Sequence, residues 1–147
     1  MTVSPRSKIG LIGAGWWATA NHLPVLVERE DIELASVCRL GAAELKFVKE
    51  TFGFTSATED YKILLETPGL DGVVVASPHT LHYEHALAAL KNGLHVLCEK
   101  PLTTSAEQAR ELVEEAEHQG VELMVPYGWH YSEFIQEAKK RMDAGAV

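Results

Sequence analysis

Short apolar runs alternate with amphipathic helical patterns along the whole chain, and this alternation restricts the fold more than any other feature. The predicted strands are residues 8–12, 32–38, 54–57, 72–76, 94–98 and 122–125. The predicted helices are residues 16–27, 42–52, 60–66, 80–92, 106–118 and 132–142. Strands that are apolar throughout are buried on both faces, as in a parallel sheet covered by helices on each side. We therefore predict a doubly wound α/β fold of about six parallel strands.

Several residues indicate where the predicted helices bend or end. Pro24 is expected to break or re-angle the first helix, because proline lacks the amide that an interior helical position uses. Gly93 and Gly120 follow helical patterns and are suited to left-handed caps. Ser105 with Gln108 has the spacing of a capping box.

The composition indicates a globular domain and disfavours several kinds of partner. A chain of 147 residues, 46% hydrophobic, is large enough for a real core. Its formal charge of −8, from 13 basic and 21 acidic residues, disfavours nucleic acid or an anionic membrane as partner. No apolar run is long enough to span a membrane.

The cysteines and the amino terminus bear on the cellular compartment. Cys38 and Cys98 provide no disulfide framework and indicate a reducing environment. Residues 1–7 are expected to be a flexible polar tail, without the apolar core of a signal peptide. We therefore expect a cytoplasmic protein.

A glycine-rich turn joins the first strand to the first helix. Gly13 permits a tight turn, Gly15 lets backbone approach a pyrophosphate, and a small third residue lets helix pack on strand. Free amides at the helix start would then hold the anion. The string Gly-x-Gly-x-x-Ala is weak alone, but here it has the strand–turn–helix context of a dinucleotide site. Ala14, Trp16 and Trp17 join the candidate cofactor residues; Trp16 is expected to face the groove and Trp17 to pack.

Arg39 occupies the end of the second strand, where an NAD-specific site usually has Asp or Glu. A carboxylate would repel a 2′-phosphate, whereas a guanidinium can pair with it. We therefore expect NADP or NAD as cofactor, with NADP(H) preferred. The alternative is a solvated arginine that tolerates either. The missing carboxylate also argues against an S-adenosylmethionine site.

The fifth apolar run ends in Cys98, Glu99, Lys100 and Pro101. This places a lysine just past the carboxyl end of a buried parallel strand, the sheet edge at which ligands sit in α/β proteins. Lys100 there can polarise a substrate oxygen or move its proton; the alternative is a surface lysine at a turn. Glu99 is a second catalytic candidate; the alternative is that it only orients or neutralises Lys100.

Four motifs occur in a fixed order. They are Gly13-Ala14-Gly15, Ser77-Pro78-His79-Thr80-Leu81-His82, Cys98-Glu99-Lys100-Pro101-Leu102 and Val125-Pro126-Tyr127-Gly128. Across essentially the whole chain, this order resembles the amino-terminal Rossmann domain of the Gfo/Idh/MocA family of oxidoreductases. The resemblance implies NAD(P)-dependent hydride transfer to or from sugars, polyols and related small molecules.

The resemblance also implies roles for individual residues. Lys100 would lie near the nicotinamide and the substrate hydroxyl, with Glu99 beside it and the bond to Pro101 cis. The segment after the fourth strand would line the cofactor groove through Ser77, Pro78, His79 and His82, and Pro101 and Trp129 would also border the cofactor. His79 stands where the family commonly has Asn, and Gly128-Trp129-His130 replaces a frequent Asn-Arg-Arg, so the substrate class stays open.

The resemblance further predicts the domain organisation. Residues 8–126 would form the NAD(P)-binding domain, and residues 127–147 a loop and helix leading to an α+β substrate domain that this chain does not contain. The chain alone is then expected to be an inactive fragment of an enzyme that is a homo-oligomer at full length. The alternatives are a non-catalytic dinucleotide-binding module or sensor, and a methyltransferase-like domain, which would have no use for Glu99-Lys100-Pro101.

Other reactive side chains support no further site. His79, His82 and His85 are spaced by three, but helical residues six apart point to different faces, so no metal site is expected. His82 is instead a groove residue or a hydrogen-bonding residue at the helix start. The two cysteines are expected to be small buried side chains rather than nucleophiles.

Overall fold

A computed structural model of the protein describes residues 6–146. It contains one parallel sheet with the strand order β3-β2-β1-β4-β5-β6. The strands are β1 (Ser7–Ile12), β2 (Ile32–Cys38), β3 (Ser56–Thr58), β4 (Gly72–Val75), β5 (His95–Cys98) and β6 (Leu123–Met124). The order reverses between β1 and β4, so the sheet edge beyond their carboxyl ends is the topological switch point.

Six α-helices in the described part of the chain accompany the sheet. They are α1 (Leu23–Val27), α2 (Ala42–Phe52), α3 (Tyr61–Leu65), α4 (His82–Lys91), α5 (Ala106–Gln119) and α6 (Glu133–Asp143). Apolar residues of α1 and α2 pack on one face of the sheet, whereas those of α3, α4 and α5 pack on the other. The predicted doubly wound α/β fold is therefore confirmed.

The helix limits follow the local sequence signals. Gly93 and Gly120 both have positive φ, as expected of glycines that end helices. The Ser105 hydroxyl accepts the Gln108 amide at 3.5 Å and caps α5. Leu45 and Val48 of α2 are buried, as their spacing predicts.

The main departure from the predicted elements precedes Pro24. The first helix does not break there; it contains a π-helical turn, Ala18–His22, which continues directly into α1. Pro24 has no amide hydrogen to donate to a carbonyl of the preceding turn. The residues before it therefore form a π-helical turn, in which an amide bonds to the carbonyl five residues earlier. The Leu23 amide donates to the Ala18 carbonyl in this way.

Smaller departures concern element limits. The third strand is Ser56–Thr58 rather than residues 54–57, and a 3-10 turn, His79–Leu81, precedes α4. The peptide bond between Lys100 and Pro101 is cis, as the resemblance implied. Most of the predicted tail, residues 1–5, and Val147 lie outside the described residues. Every helix in the described range is too short or too polar to cross a bilayer.

Candidate active site

The glycine turn is held tightly between the carboxyl ends of β2 and β4. The Gly13 amide donates to the Cys38 carbonyl at 2.8 Å. Gly13 has a φ of +90°, and a Cβ there would lie 2.3 Å from the backbone nitrogen of Ser77. Both the conformation and the contact exclude a side chain, so glycine is required by the fold at this position.

The next part of the turn, at Gly15, is open on the side where a ligand would bind. A Cβ on Gly15 would meet no atom within 4 Å. Within residues 6–146, the amides of Trp16 and Trp17 donate to no backbone carbonyl. Ala14 is fully buried and packs with the core of α1 and α2. Free space beside Gly15 and unused amides at a helix start fit a bound anion such as a pyrophosphate.

A cavity of about 560 Å³ extends from the turn along the sheet edge. It lies between the carboxyl ends of β1, β2 and β4. Its walls are mainly apolar, with a few polar groups, as in small-molecule sites. The lining residues are Ile12, Gly13, Gly15, Cys38, Arg39, Leu40, Glu59, Tyr61, Ala76, Ser77, Pro78, Leu81 and His85.

Arg39 lies on the wall of this cavity, partly exposed, directly after β2. Its Nη1 donates to the Ala14 carbonyl at 3.0 Å, and its Nε donates to the Leu40 carbonyl at 3.3 Å. The guanidinium therefore lies against the glycine turn. Glu59, on the same wall, accepts the Gly41 amide at 2.6 Å.

The segment after β4 lines the opposite wall. Ser77 and Pro78 border the cavity, whereas His79 is exposed at the start of the 3-10 turn. The Ser77 hydroxyl shares a hydrogen bond of 2.9 Å with Nδ1 of His85, whose ring lies 4.4 Å from that of Tyr61. Burial lowers the pKa of His85, which favours the neutral ring.

His82 is fully buried and does not line the cavity. Its Nε2 lies 2.9 Å from the Ser77 carbonyl and its Nδ1 lies 2.7 Å from the Pro101 carbonyl. The ring nitrogen that carries the proton donates to its carbonyl. His82 is therefore a hydrogen-bonding residue at the start of α4 that joins the end of β4 to the Lys100-Pro101 segment. Its direct contact with a cofactor stays a prediction.

Glu99 is buried at the end of β5 and is only 6% exposed. Its Oε1 accepts the indole Nε1–H of Trp17 at 2.7 Å and lies 2.7 Å from Nε2 of His22, while its Oε2 accepts the Lys100 amide at 3.0 Å. Burial by itself raises the pKa of the Glu99 carboxyl. These hydrogen bonds outweigh burial and hold the pKa below its usual range.

Lys100 is exposed beyond the end of β5. Its ammonium lies 4.9 Å from the centroid of the Trp17 ring, within the range of a cation–π contact. The structure thus brings Lys100, Glu99 and Trp17 together, next to the glycine turn that leads into the Trp17 helix. Trp17 is 40% exposed, so it is only partly packed, and it contacts this segment through its indole N–H as well as its ring.

The other two predicted tryptophans are largely exposed, although the ring centroid of Trp16 lies 5.9 Å from that of Trp17. Trp16 is 76% exposed and borders a shallow depression with Arg39 rather than the main cavity. Trp129 is 77% exposed in a 3-10 turn, Gly128–Tyr131, at the start of the terminal segment. Their contacts with a cofactor stay predictions.

Four polar or aromatic residues at this edge were given no role there from the sequence: His22, Glu59, Tyr61 and His85. The first contacts Glu99, and the other three line the cavity. His22 lies between Asn21 and the apolar residues 23–27, and this local sequence carries no signal for its role. Its partner is 77 positions away, so only the fold could identify it.

The cysteines are buried as predicted. Burial raises the pKa of the Cys98 thiol to about 12 and that of Cys38 to about 11, so neither forms a nucleophilic thiolate near neutral pH. Among the described residues, no group of three or more His, Cys, Asp or Glu side chains could hold a metal ion.

Comparisons with known proteins agree with this geometry. The sequence model of the Gfo/Idh/MocA group, described as an oxidoreductase family with an NAD-binding Rossmann fold, matches residues 7–127. D-glucoside 3-dehydrogenase of Escherichia coli is 34% identical over the whole chain, which corresponds to 42% of that enzyme. An NADP⁺-dependent scyllo-inositol 2-dehydrogenase of Bacillus subtilis is 28% identical over 95% of the chain and 38% of its own length.

A solved structure is also similar. The 3-ketoreductase KijD10 of Actinomadura kijaniata, crystallised with NADP and TDP-benzene, superposes with a TM-score of 0.89 at 32% identity. The match covers 97% of this chain and 43% of that protein. The chain thus spans less than half the length of the relatives it matches. Because the family model covers most of the chain, the protein belongs to the Gfo/Idh/MocA family of oxidoreductases with an NAD-binding Rossmann fold.

Proposed function

We propose that the protein containing this chain is a dehydrogenase that uses NADP(H) to interconvert a hydroxyl and a carbonyl group on a sugar or polyol. The observation that carries the proposal is the proximity of an exposed lysine to the glycine turn. Lys100 follows β5, and its ammonium lies over the ring of Trp17, which is the second residue after Gly15. The relatives are named as dehydrogenases of glucosides and inositols, which does not favour a non-catalytic module.

The residues of the turn fit the cofactor. Gly13 brings the backbone against Ser77, and Gly15 leaves open space where a side chain would obstruct a pyrophosphate. The free amides of Trp16 and Trp17 would bind its oxygens. When bound, the nicotinamide supplies the position that donates or accepts the hydride.

Lys100 is the proposed acid–base group. In the direction of reduction, its ammonium donates a hydrogen bond to the carbonyl oxygen and gives it the proton that completes the hydroxyl. In the direction of oxidation, the neutral amine accepts that proton. A positioned proton donor of this kind contributes about 10²- to 10⁴-fold to the rate.

The preference for NADP(H) is proposed from Arg39. Its guanidinium borders the cavity at the end of β2, the position that faces the ribose 2′ group in dinucleotide sites. A 2′-phosphate would pair with this cation. The scyllo-inositol relative is named for NADP⁺, and the KijD10 structure contains NADP.

Titration with NADPH and NADH tests the cofactor proposal. Quenching of tryptophan fluorescence reports binding, since two tryptophans follow the glycine turn. We expect NADPH to bind about tenfold more tightly than NADH, a difference of about 1.4 kcal/mol. Arg39→Asp should reverse that ratio. Equal affinities that Arg39→Asp leaves unchanged would remove the NADP(H) preference.

Lys100→Met tests the catalytic proposal in the gene product that carries this chain. Scyllo-inositol, D-xylose and methyl D-glucoside are suitable first substrates. We expect at least about a 100-fold loss of turnover because the proton donor is gone. NADPH affinity should stay within about twofold of the original, since the glycine turn is intact. Unchanged turnover would contradict the assignment of Lys100.

Three expectations from the sequence stay predictions: the homo-oligomer, the cytoplasmic location and the domain limits.

A further inference from the structure

Three hydrogen-bonding groups of this chain hold the Glu99 carboxylate. Its two oxygens face Trp17 Nε1, His22 Nε2 and the Lys100 amide, at 2.7, 2.7 and 3.0 Å. A buried carboxylate with three hydrogen-bonding partners is stabilised in its ionised form, and taking up a proton would weaken these contacts. Glu99 is therefore suited to holding neighbouring groups in place, and it is not suited to carrying a substrate proton.

Both side chains that contact Oε1 of Glu99 come from one helical segment. In a regular α-helix, positions five apart are separated by about 140° around the axis, because each residue turns about 100°. The π-helical turn, Ala18–His22, has fewer degrees per residue and brings Trp17 and His22 nearer to one side. The Asn21 side chain donates to the Trp17 carbonyl at 3.0 Å and stabilises this turn.

Trp17 contacts two parts of the segment at once. Its indole N–H donates to Glu99, and its ring face lies 4.9 Å from the Lys100 ammonium. Within residues 6–146, no ion pair joins Lys100 to Glu99 or to any other carboxylate. Lys100 is thus held through its backbone amide and an aromatic ring, which leaves its three N–H donors available to a substrate oxygen.

We propose that Trp17 and His22 are positioning residues for Lys100. They hold the Glu99 carboxylate, which holds the Lys100 amide, and the Trp17 ring supports the ammonium above it. The inference rests on the proposed function, because it states how the proposed proton-transfer group is kept in place.

His22 offers a matched pair of substitutions. His22→Leu removes the donor to Glu99, whereas His22→Gln retains an N–H that can replace it. We expect kcat to fall about 10- to 100-fold in His22→Leu, as for a reacting group displaced by about 1 Å. The Gln variant should recover kcat to within about threefold of the original. KM for NADPH should change less than about twofold in both, since the glycine turn is not altered.

Trp17→Phe separates the two contacts of the indole. Phenylalanine retains an aromatic face but has no N–H to donate to Glu99. We expect a fall in kcat comparable to that of His22→Leu, because both variants remove one donor from the same oxygen.

His118→Leu is the control for the histidine substitutions. His118 also lies near a glutamate, Glu115, at 3.9 Å, but it is 79% exposed on α5. Its kcat should stay unchanged.

Two readouts are independent of turnover. The indole N–H signal of Trp17 in a ¹H–¹⁵N spectrum should move upfield in Glu99→Gln, because the charged acceptor is lost. Competitive acetylation with acetic anhydride, followed by mass spectrometry, measures the reactivity of the Lys100 amine. That reactivity should change at least about threefold in His22→Leu and return towards the original in His22→Gln.

The outcomes separate this inference from the proposed function. If the original protein neither binds NADPH nor oxidises the substrates, while the indole signal and Lys100 reactivity respond as expected, the proposed function fails and the positioning role stands. If NADPH and substrate reactions are intact but kcat and Lys100 reactivity match the original in His22→Leu and Trp17→Phe, the positioning role is refuted. Equal losses in His22→Gln and His22→Leu would also refute it, since the hydrogen bond would then be irrelevant.

Discussion

The glycine turn and the Glu99–Lys100 segment lie at the same edge of the sheet but are held in different ways. Gly13 is fixed by backbone alone: a positive φ, a hydrogen bond to β2 and contact with the backbone of Ser77. Glu99 is fixed by side chains from the helical segment before α1, and the following Lys100-Pro101 bond is flanked by a contact from His82 of α4 to the Pro101 carbonyl. A backbone-built site depends on where side chains are absent, whereas a side-chain-built site depends on which distant residues meet.

Gly13→Ala tests the part of the site that is held by backbone, and it should have the largest effect on stability. The new Cβ would lie 2.3 Å from the Ser77 nitrogen in a conformation that L-residues disfavour. We expect the free energy of unfolding to fall by about 3–5 kcal/mol, or folding to fail. Urea unfolding measures it.

Gly15→Ala is the matched control for Gly13→Ala. A Cβ there meets nothing within 4 Å, so stability should change by less than about 0.5 kcal/mol. NADPH affinity should still fall roughly tenfold, because the methyl group would occupy the space left for the pyrophosphate. Similar stability losses in both variants would contradict the distinction between the two glycines.

His82→Leu tests the side-chain support on the α4 side. The substitution removes the fully buried imidazole, whose N–H donates to one of the two carbonyls that face it, those of Ser77 and Pro101. We expect a loss of about 2–3 kcal/mol in the free energy of unfolding, measured by urea titration. His118→Leu, on the exposed face of α5, should lose less than about 0.5 kcal/mol. Equal losses would mean that the two carbonyl contacts contribute nothing.

Glu99→Gln tests the part of the site that is held by side chains, because it removes the charge of Glu99 and conserves its shape. The free energy of unfolding should fall by about 1–2 kcal/mol at pH 7, since hydrogen bonds to a charged acceptor are the stronger ones. Because the folded-state pKa of Glu99 lies below its unfolded value, its stabilisation is complete above about pH 4.3 and is lost as pH falls through the folded-state pKa.

The difference between the original protein and Glu99→Gln should therefore shrink in acid. Urea unfolding at pH 7, 5 and 3.5 measures it. The comparison is made in a His22→Gln background, so that the contact with Glu99 has only one titrating partner. A difference that grows towards pH 3.5 would contradict the lowered pKa.

Asn21→Ala should have the smallest effect. It removes the side-chain hydrogen bond to the Trp17 carbonyl at an exposed position of the π-helical turn. We expect a loss of about 0.5–1 kcal/mol in the free energy of unfolding. Hydrogen exchange of the Leu23 amide, which donates across the turn, should become faster. Unchanged exchange would show that the turn does not depend on Asn21.

The fold was accessible from sequence because its signals are local. Apolar runs interrupted by helical patterns predict a parallel sheet, and β2 and α2 begin and end at the predicted residues. Weakly apolar β3 and the two-residue β6 were placed less well, since short strands carry little periodicity. The π-helical turn was not predicted, because Pro24 indicated only that the helix would break or change direction.

The sequence by itself determined the doubly wound sheet, the glycine turn and the location of Lys100 after β5, because each follows from residues adjacent in the chain. The tertiary structure alone decided that His22 and Trp17 share one oxygen of Glu99, and that His82 joins Ser77 to Pro101. Backbone conformation is encoded within a few residues. A buried carboxylate, by contrast, is stabilised by whichever donors the folded chain brings to it, and here the side-chain donors to Glu99 lie 77 and 82 positions away.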